Sequence, residues 1–281
     1  MSLRQRLPEP AKAVLRQLKQ AVRKPCERAA DLADGFLRHM GLAVYRYRPD
    51  YHYCPRLYGA SQHKLLDIRE VEIFGKLAKE VISHGKTTLY YDRLYFLYQS
   101  ICRVSQLPGN GANLAEIGVY KGGGTYFIAS VVDKLFKEKP LIHSFDTFEG
   151  HPEEIHPELD GGHYPGAFRD TSFAEVKNYL AVFDNVVLHQ GRFQENCQSV
   201  SGQKFSFVHL DVDIYSATRD CLEFFADLLI PGGIILVDDY GFTTCKGSKE
   251  AVDSFVNRVG NFMKLHLLTG QCMLIRINKG C

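Results

Sequence analysis

No stretch of this 281-residue chain approaches the roughly 20 consecutive apolar residues that a membrane span requires, so no transmembrane helix is expected. An excess of either charge is also missing. Thirty-four Lys and Arg against 32 Asp and Glu leave a formal net charge of +2, too little for a global field that would attract nucleic acid. The eight cysteines (26, 54, 102, 197, 221, 245, 272 and 281) lack Cys-x-x-Cys and Cys/His ligand spacing. Neither a disulfide framework nor a zinc site is therefore expected, and the thiols read as reduced, several of them filling core positions. The beginning of the chain lacks the apolar core of a secretory signal, which gives a cytoplasmic protein as the expectation. Internal repeats and low-complexity tracts are absent.

What the chain does have is 45% hydrophobic residues, enough for one large α/β domain with an appendage. Residues 1–64 read as a basic helical N-terminal extension and linker. Ala11, Val14, Leu15, Leu18, Ala21 and Val22 repeat at helical spacing among Arg4, Arg6, Lys12, Arg16 and Lys19. Such a helix either packs on its own domain or a dimer mate, the basis for expecting a homo-oligomer, or lies on an acidic surface. Residues 65–108 read as a helical cap with two apolar stripes, closed by the turn Pro108-Gly109-Asn110-Gly111.

From 109 to 281 the rhythm becomes strand, helix, strand. Strands are predicted at 114–119, 141–145, 186–189, 205–211 and 234–237, and helices at 125–134, 173–183, 217–229 and 248–259. Segments 262–268 and 273–277 read as a closing hairpin. This order predicts an α/β fold with a doubly wound, mainly parallel sheet, whose ligand crevice lies at the strand C-termini.

Two features place chemistry at that crevice. The first is Glu116-Ile117-Gly118-Val119-Tyr120-Lys121-Gly122-Gly123-Gly124-Thr125, a glycine turn from strand to helix. A dinucleotide fingerprint starting at Gly118 needs glycine at 120, where this chain has tyrosine, so a pyrophosphate cradle is not indicated. Asp146 ends the next strand, where a ribose-binding carboxylate is expected; an N-cap or turn role is the alternative. Loop and Asp146 together favour a nucleoside-containing ligand.

The second is the pair of acidic clusters His209-Leu210-Asp211-Val212-Asp213 and Val237-Asp238-Asp239-Tyr240, each at the end of an apolar run. Like charges crowded where buried strands surface are costly unless a cation joins them. If the two strands are neighbours, the four carboxylates converge. Oxygen donors of this kind select a hard ion such as Mg²⁺. Helix capping and surface ion pairs are the alternatives for each aspartate alone.

These segments, with Ser144-Phe145-Asp146-Thr147-Phe148-Glu149-Gly150, Gly166-Ala167-Phe168, Pro231-Gly232-Gly233, Cys245-Lys246-Gly247 and Glu250-Ala251-Val252, resemble the macrocin O-methyltransferase family over about 87–256. The resemblance implies a Rossmann-like class I methyltransferase fold that transfers a methyl group from S-adenosylmethionine to a sugar hydroxyl on a natural product or glycoconjugate. It implies cofactor contacts from Glu116, Gly118, Gly122 and Asp146, with Asp146 on the ribose. It implies Mg²⁺ ligands at Asp211, Asp238 and Asp239, and a general base at Asp213. The partner it implies is a small glycosylated substrate, without nucleic acid. The family's mobile loop falls on 149–170, where His163 is a candidate for assisting proton transfer or holding substrate. The favoured reading of His151, His156 and His163 is nonetheless as solvated loop residues, because none has a partner visible in the sequence. Tyr215 and Tyr240, beside the acidic motifs, read as either pocket wall or core. Methylation of a catechol-type phenol, and a catalytically silent methyltransferase-like scaffold, are the alternatives.

Overall fold

The structure, a computed structural model, describes residues 67–108 and 111–278. Residues 1–64, expected to form a basic helical extension and linker, lie outside the described residues. The helical segment and the sheet fall in one compact unit, Leu66–Cys281.

Seven strands form one sheet: β1 (Asn113–Ile117), β2 (Ile142–Asp146), β3 (Val186–Gln190), β4 (Phe205–Leu210), β5 (Leu229–Val237), β6 (Phe262–His266) and β7 (Cys272–Arg276). Their order is β3-β2-β1-β4-β5-β7-β6. Strands β1 to β5 are parallel, whereas β7 runs antiparallel to both β5 and β6. Central strands covered on both faces read as unbroken apolar runs, and Ile234 to Val237 are all buried.

Helices α1 (Glu72–His84), α2 (Tyr91–Val104) and α3 (Gly123–Leu135) cover one face. Phe74, Leu97 and Ile101 share a buried cluster with Phe127 of α3 and with Leu114, Phe207 and Ile234 of the sheet. The cap helices thus contribute to the same core as the strands. On the opposite face, α6 (Tyr215–Phe225) and α7 (Lys246–Val259) bury Cys221, Phe225 and Phe255 against Ala115, Val208 and Ile235. Among the described residues the other α-helices are α4 (Phe173–Leu180) and the single turn α5 (Phe193–Asn196), continued by a 3₁₀ turn over Cys197–Val200.

The largest differences from the sequence reading are as follows. Helix α6 occupies Tyr215–Phe225, and Leu229, predicted to end it, instead starts β5. Pro231-Gly232-Gly233 is not a turn before the strand but an irregularity within it. Pairing jumps from Phe205 with Leu229 to Phe207 with Ile234, and this excursion accommodates the proline without a ladder donor. The short helix α5 was not foreseen, because four residues are too few to display a helical period.

Candidate active site

A cavity of about 730 Å³ opens over the C-terminal ends of the parallel strands. Each strand delivers a wall residue: Gly118 follows β1, Asp146 ends β2, Gly191 follows β3, Asp211 follows β4, and Asp239 follows β5. Of the residues singled out in the sequence, Gly118, Asp146, Asp211, Asp213 and Asp239 line it, whereas Glu116, Gly122, Asp238 and His163 do not.

Gly118 (φ +92°) could carry no side chain, since a Cβ there would lie 1.8 Å from the Asp211 carbonyl oxygen. This close approach brings the β1 and β4 exits together. Asp146 holds the loop shut: its Oδ2 accepts from the Val119 and Tyr120 amides (2.8 and 2.7 Å), and its Oδ1 from Phe148 N (2.6 Å). Three of its roughly four acceptor positions are thereby used, which leaves room for one hydroxyl donor from the cavity. Tyr120, standing where a dinucleotide site has glycine, nevertheless adopts left-handed backbone (φ 51°) and turns its ring against Phe168. Phe168 and Asp213 share that conformation, at φ 65° and 60°, so three strained non-glycine residues border one cavity. Gly122 caps the start of α3 against Val176 and Tyr179.

Glu116 is buried beneath the loop and belongs to a polar chain that crosses the sheet. It accepts from Thr125 Oγ1 and pairs with His209 Nδ1 at 3.0 Å. His209 Nε2 lies 3.6 Å from Asp238 Oδ1, and Asp238 is ion-paired with Arg93 of α2 and accepts from Gln271 Nε2 at 2.8 Å. Burial alone would lower His209, but Asp238 and Glu116 on either side carry it up to about 10. Burial likewise opposes ionisation of Asp238, yet Arg93 and His209 outweigh it and hold the carboxyl below its usual range.

The other two cluster carboxylates lack such partners. Burial, reinforced by Asp238, pushes Asp211 up to about 8. Burial, reinforced by Asp213 and Asp211, raises Asp239 well above the carboxylate range. One oxygen each from Asp211, Asp238 and Asp239 lies within 4.8 Å of the others. An all-oxygen donor set whose charges are only partly matched fits a hard divalent cation.

Asp213 lies across the cavity floor, with Asp239 Oδ2 accepting from its amide at 3.2 Å. Its own carboxylate faces His151 Nε2 at 3.4 Å and Cys245 Sγ at 3.7 Å. Cys245 in turn meets His163 Nε2 at 3.4 Å, and the two imidazoles pack edge to face with centroids 5.1 Å apart. The loop histidines 151 and 163 therefore do have partners, more than 60 positions away along the chain, where no local pattern could reveal them. His156 stays exposed, its Nδ1 accepting from Leu159 N. Buried Asp160 fastens the loop, accepting from Tyr215 N at 2.9 Å at the start of α6. Tyr240 belongs to the core, its hydroxyl donating to Asp253 at 2.9 Å.

Sequence reasoning missed Arg93 and the Gly191-Arg192 wall after β3, and it named His209 and His151 without giving either a partner in the site. His209 was visible inside an acidic motif, but its pairing required knowing that β1, β4 and β5 are adjacent.

Five parallel strands closed by an antiparallel hairpin, with a glycine loop after the first and a crevice over their C-termini, define the Rossmann-like class I methyltransferase fold. A profile of the macrocin O-methyltransferases (TylF) matches residues 72–274. The chain belongs to that family. It is similar to 8-demethyl-8-(2,3-dimethoxy-alpha-L-rhamnosyl)-tetracenomycin-C 4'-O-methyltransferase of Streptomyces olivaceus, with 26% identity over 60% of this chain and 66% of the relative. It is similar also to mycinamicin III 3''-O-methyltransferase of Micromonospora griseorubida, with 28% identity over 55% of this chain and 63% of the relative. The match thus spans just under two thirds of each. The O-methyltransferase NovP shares the fold, with a TM-score of 0.60 and 21% identity over 69% of this chain and 83% of that one. The calicheamicin methyltransferase CalS11 shares it with a TM-score of 0.53 and 19% identity over 76% of this chain and 98% of that one.

Proposed function

We propose that this protein transfers a methyl group from S-adenosylmethionine to a sugar hydroxyl of a small glycosylated natural product, with Mg²⁺ held by Asp211, Asp238 and Asp239. The observation that carries this reading is the meeting, in one cavity, of the glycine loop and Asp146 with the carboxylate cluster. The name of the Streptomyces olivaceus relative gives a rhamnosyl-bearing compound as its substrate, which supports a sugar acceptor.

The residues divide the work. Gly118 admits the ligand backbone-close, and Asp146 offers its remaining acceptor position to a ribose hydroxyl. Bound Mg²⁺ would supply a Lewis acid that lowers the pKa of an acceptor hydroxyl from about 16. Asp213, bordering both the cluster and the cavity, takes the hydroxyl proton. Arg93 and His209 keep Asp238 ionised and oriented. Ala167 and Phe168 of the loop form the cavity wall on the loop side and limit water there. The missing glycine at 120 agrees with a ligand that carries no pyrophosphate.

Labelled S-adenosylmethionine offered with vicinal sugar diols and aromatic diols tests the assignment. Label transfer to the glycosides supports it. Transfer only to catechols makes the enzyme a phenol methyltransferase, and binding of NAD(P)H in preference to S-adenosylmethionine in calorimetry overturns both.

A further inference from the structure

We propose that His151 selects which of two vicinal sugar hydroxyls is methylated: its Nε2–H donates to the neighbouring hydroxyl while Asp213 takes the proton of the reacting one. This names a specificity residue within the preceding reading and rests on it. His151 lines the cavity together with Asp213, Asp239 and Phe168. Its side chain is only 9% exposed, and its Nε2 faces Asp213 Oδ2 across 3.4 Å. Among the described residues that nitrogen makes no hydrogen bond. A buried polar atom left unsatisfied is costly. One aimed into a ligand cavity marks the place where a ligand group completes the site.

The ring is oriented by contacts that do not involve Nε2. His151 N donates to Ala167 O, and Gly166 N to His151 O, both at 2.9 Å. These two bonds tie the arms of the loop together and fix the backbone at its neck. The imidazole meets the rings of His163 and Phe168 edge to face, with centroids 5.1 and 5.4 Å away. Backbone pairing and ring packing therefore hold the nitrogen in place, ready for a ligand.

The chemistry of the two neighbours assigns the two hydroxyls. A carboxylate 3.4 Å away favours the tautomer with its proton on Nε2, so the ring presents a donor. Ionised Asp213 is an acceptor only. A donor on the reacting oxygen would hold the electron pair that must attack the methyl carbon, so the imidazole suits the hydroxyl beside it. Donor and acceptor side by side thus match a vicinal diol, one oxygen met through its lone pair and the other through its proton. The reversed pose leaves the reacting hydroxyl on His151 without a base, which disfavours the wrong regioisomer. His151 itself forms and breaks no covalent bond.

Methyl hexopyranosides with vicinal hydroxyls, their monodeoxy analogues and labelled S-adenosylmethionine test the assignment. The wild type should label one hydroxyl and lose about tenfold in kcat/KM when its neighbour is removed. His151→Phe, which keeps the ring packing, should raise the acceptor KM about tenfold and label both vicinal hydroxyls. It should also treat the diol and the analogue lacking the neighbouring hydroxyl alike, as expected once the partner of that hydroxyl is gone. His151→Gln, which retains an N–H donor, should recover part of the selectivity. Calorimetric affinity for S-adenosylhomocysteine should be the same in all three proteins, and its loss in His151→Phe would give the residue a structural role and overturn the proposal. Single-site labelling by His151→Phe, or a wild type indifferent to the neighbouring hydroxyl, also overturns it. In both cases glycosides are still labelled and the methyl-transfer reading stands. A wild type that labels no glycoside overturns that reading and this inference with it.

Discussion

Asp213 sits in left-handed backbone at φ 60°, a conformation that asparagine tolerates and most residues do not. Asp213→Asn therefore removes the charge without disturbing the chain. Its expected effect is a fall in kcat of about 10²–10⁴-fold with S-adenosylmethionine affinity retained, measured by steady-state kinetics beside calorimetry. Unchanged turnover would remove Asp213 from the mechanism. Arg93 invites a different experiment, because its guanidinium neutralises a carboxylate with no exposed surface. Arg93→Met leaves Asp238 with only His209 and Gln271 as partners and should cost about 3 kcal/mol in denaturant unfolding. Adding Asp238→Asn to that variant should recover part of the loss, and a strictly additive double mutant would mean that the ion pair does not couple. The four aspartates could be picked out from the sequence because each ends an apolar run. Arg93 could not, since one arginine among the polar positions of an amphipathic helix looks like any other until α2 is laid on the sheet.

The loop between β2 and α4 shows how a segment without regular structure is positioned by a few contacts. Asp160 is its buried anchor, and Gly247 at the start of α7 is the surface it rests on, where a Cβ would lie 2.0 Å from Asp160 Oδ1. Gly247→Ala should displace the anchor at a cost of about 1–3 kcal/mol and open the cavity wall. The expected readout is faster proteolytic cleavage within 149–170 and a raised KM for the acceptor, with cofactor binding unchanged. Unaltered cleavage would show that the loop is held elsewhere. The strands were legible because their side chains are buried on both faces and the sequence records that as apolar runs. The loop's packing was not, because Asp160, Gly247 and the two histidines 151 and 163 meet partners brought near only by the crossover connections.

Stability of the described unit should respond to acid through a histidine pair that does not line the cavity. His143 Nδ1 and His189 Nε2 are 3.0 Å apart, and burial followed by its neighbour's repulsion lowers His189 to about 4. Between about pH 6.5 and 4 the unfolded chain binds a proton there that the folded chain refuses. Stability from this source is present above that window and is lost as pH falls through it. Asp211 and Asp239, raised by burial, act with the opposite sign as pH increases, so the wild type must be compared with a variant. His189→Phe keeps the stacking on Phe145, whose ring lies 4.2 Å away, and removes the titration. Denaturant melts at pH 7 and 5 should show the wild type losing about 1 kcal/mol more than the variant, a figure reduced for partial exposure. Equal losses would refute the assignment.

Hydrophobic period, glycine turns and the positions of acids at strand ends are local properties, written into consecutive residues, and they determined the fold class, the strand and helix order and the aspartate cluster. Which charges neutralise which is not local. Arg93 on Asp238, His209 between two carboxylates, and His151 and His163 beside Asp213 are pairs drawn from residues 29 to 145 positions apart. Electrostatic and hydrogen-bond energies depend on distances of a few ångströms, and only the packing of cap helices, sheet and loop brought those groups within that reach.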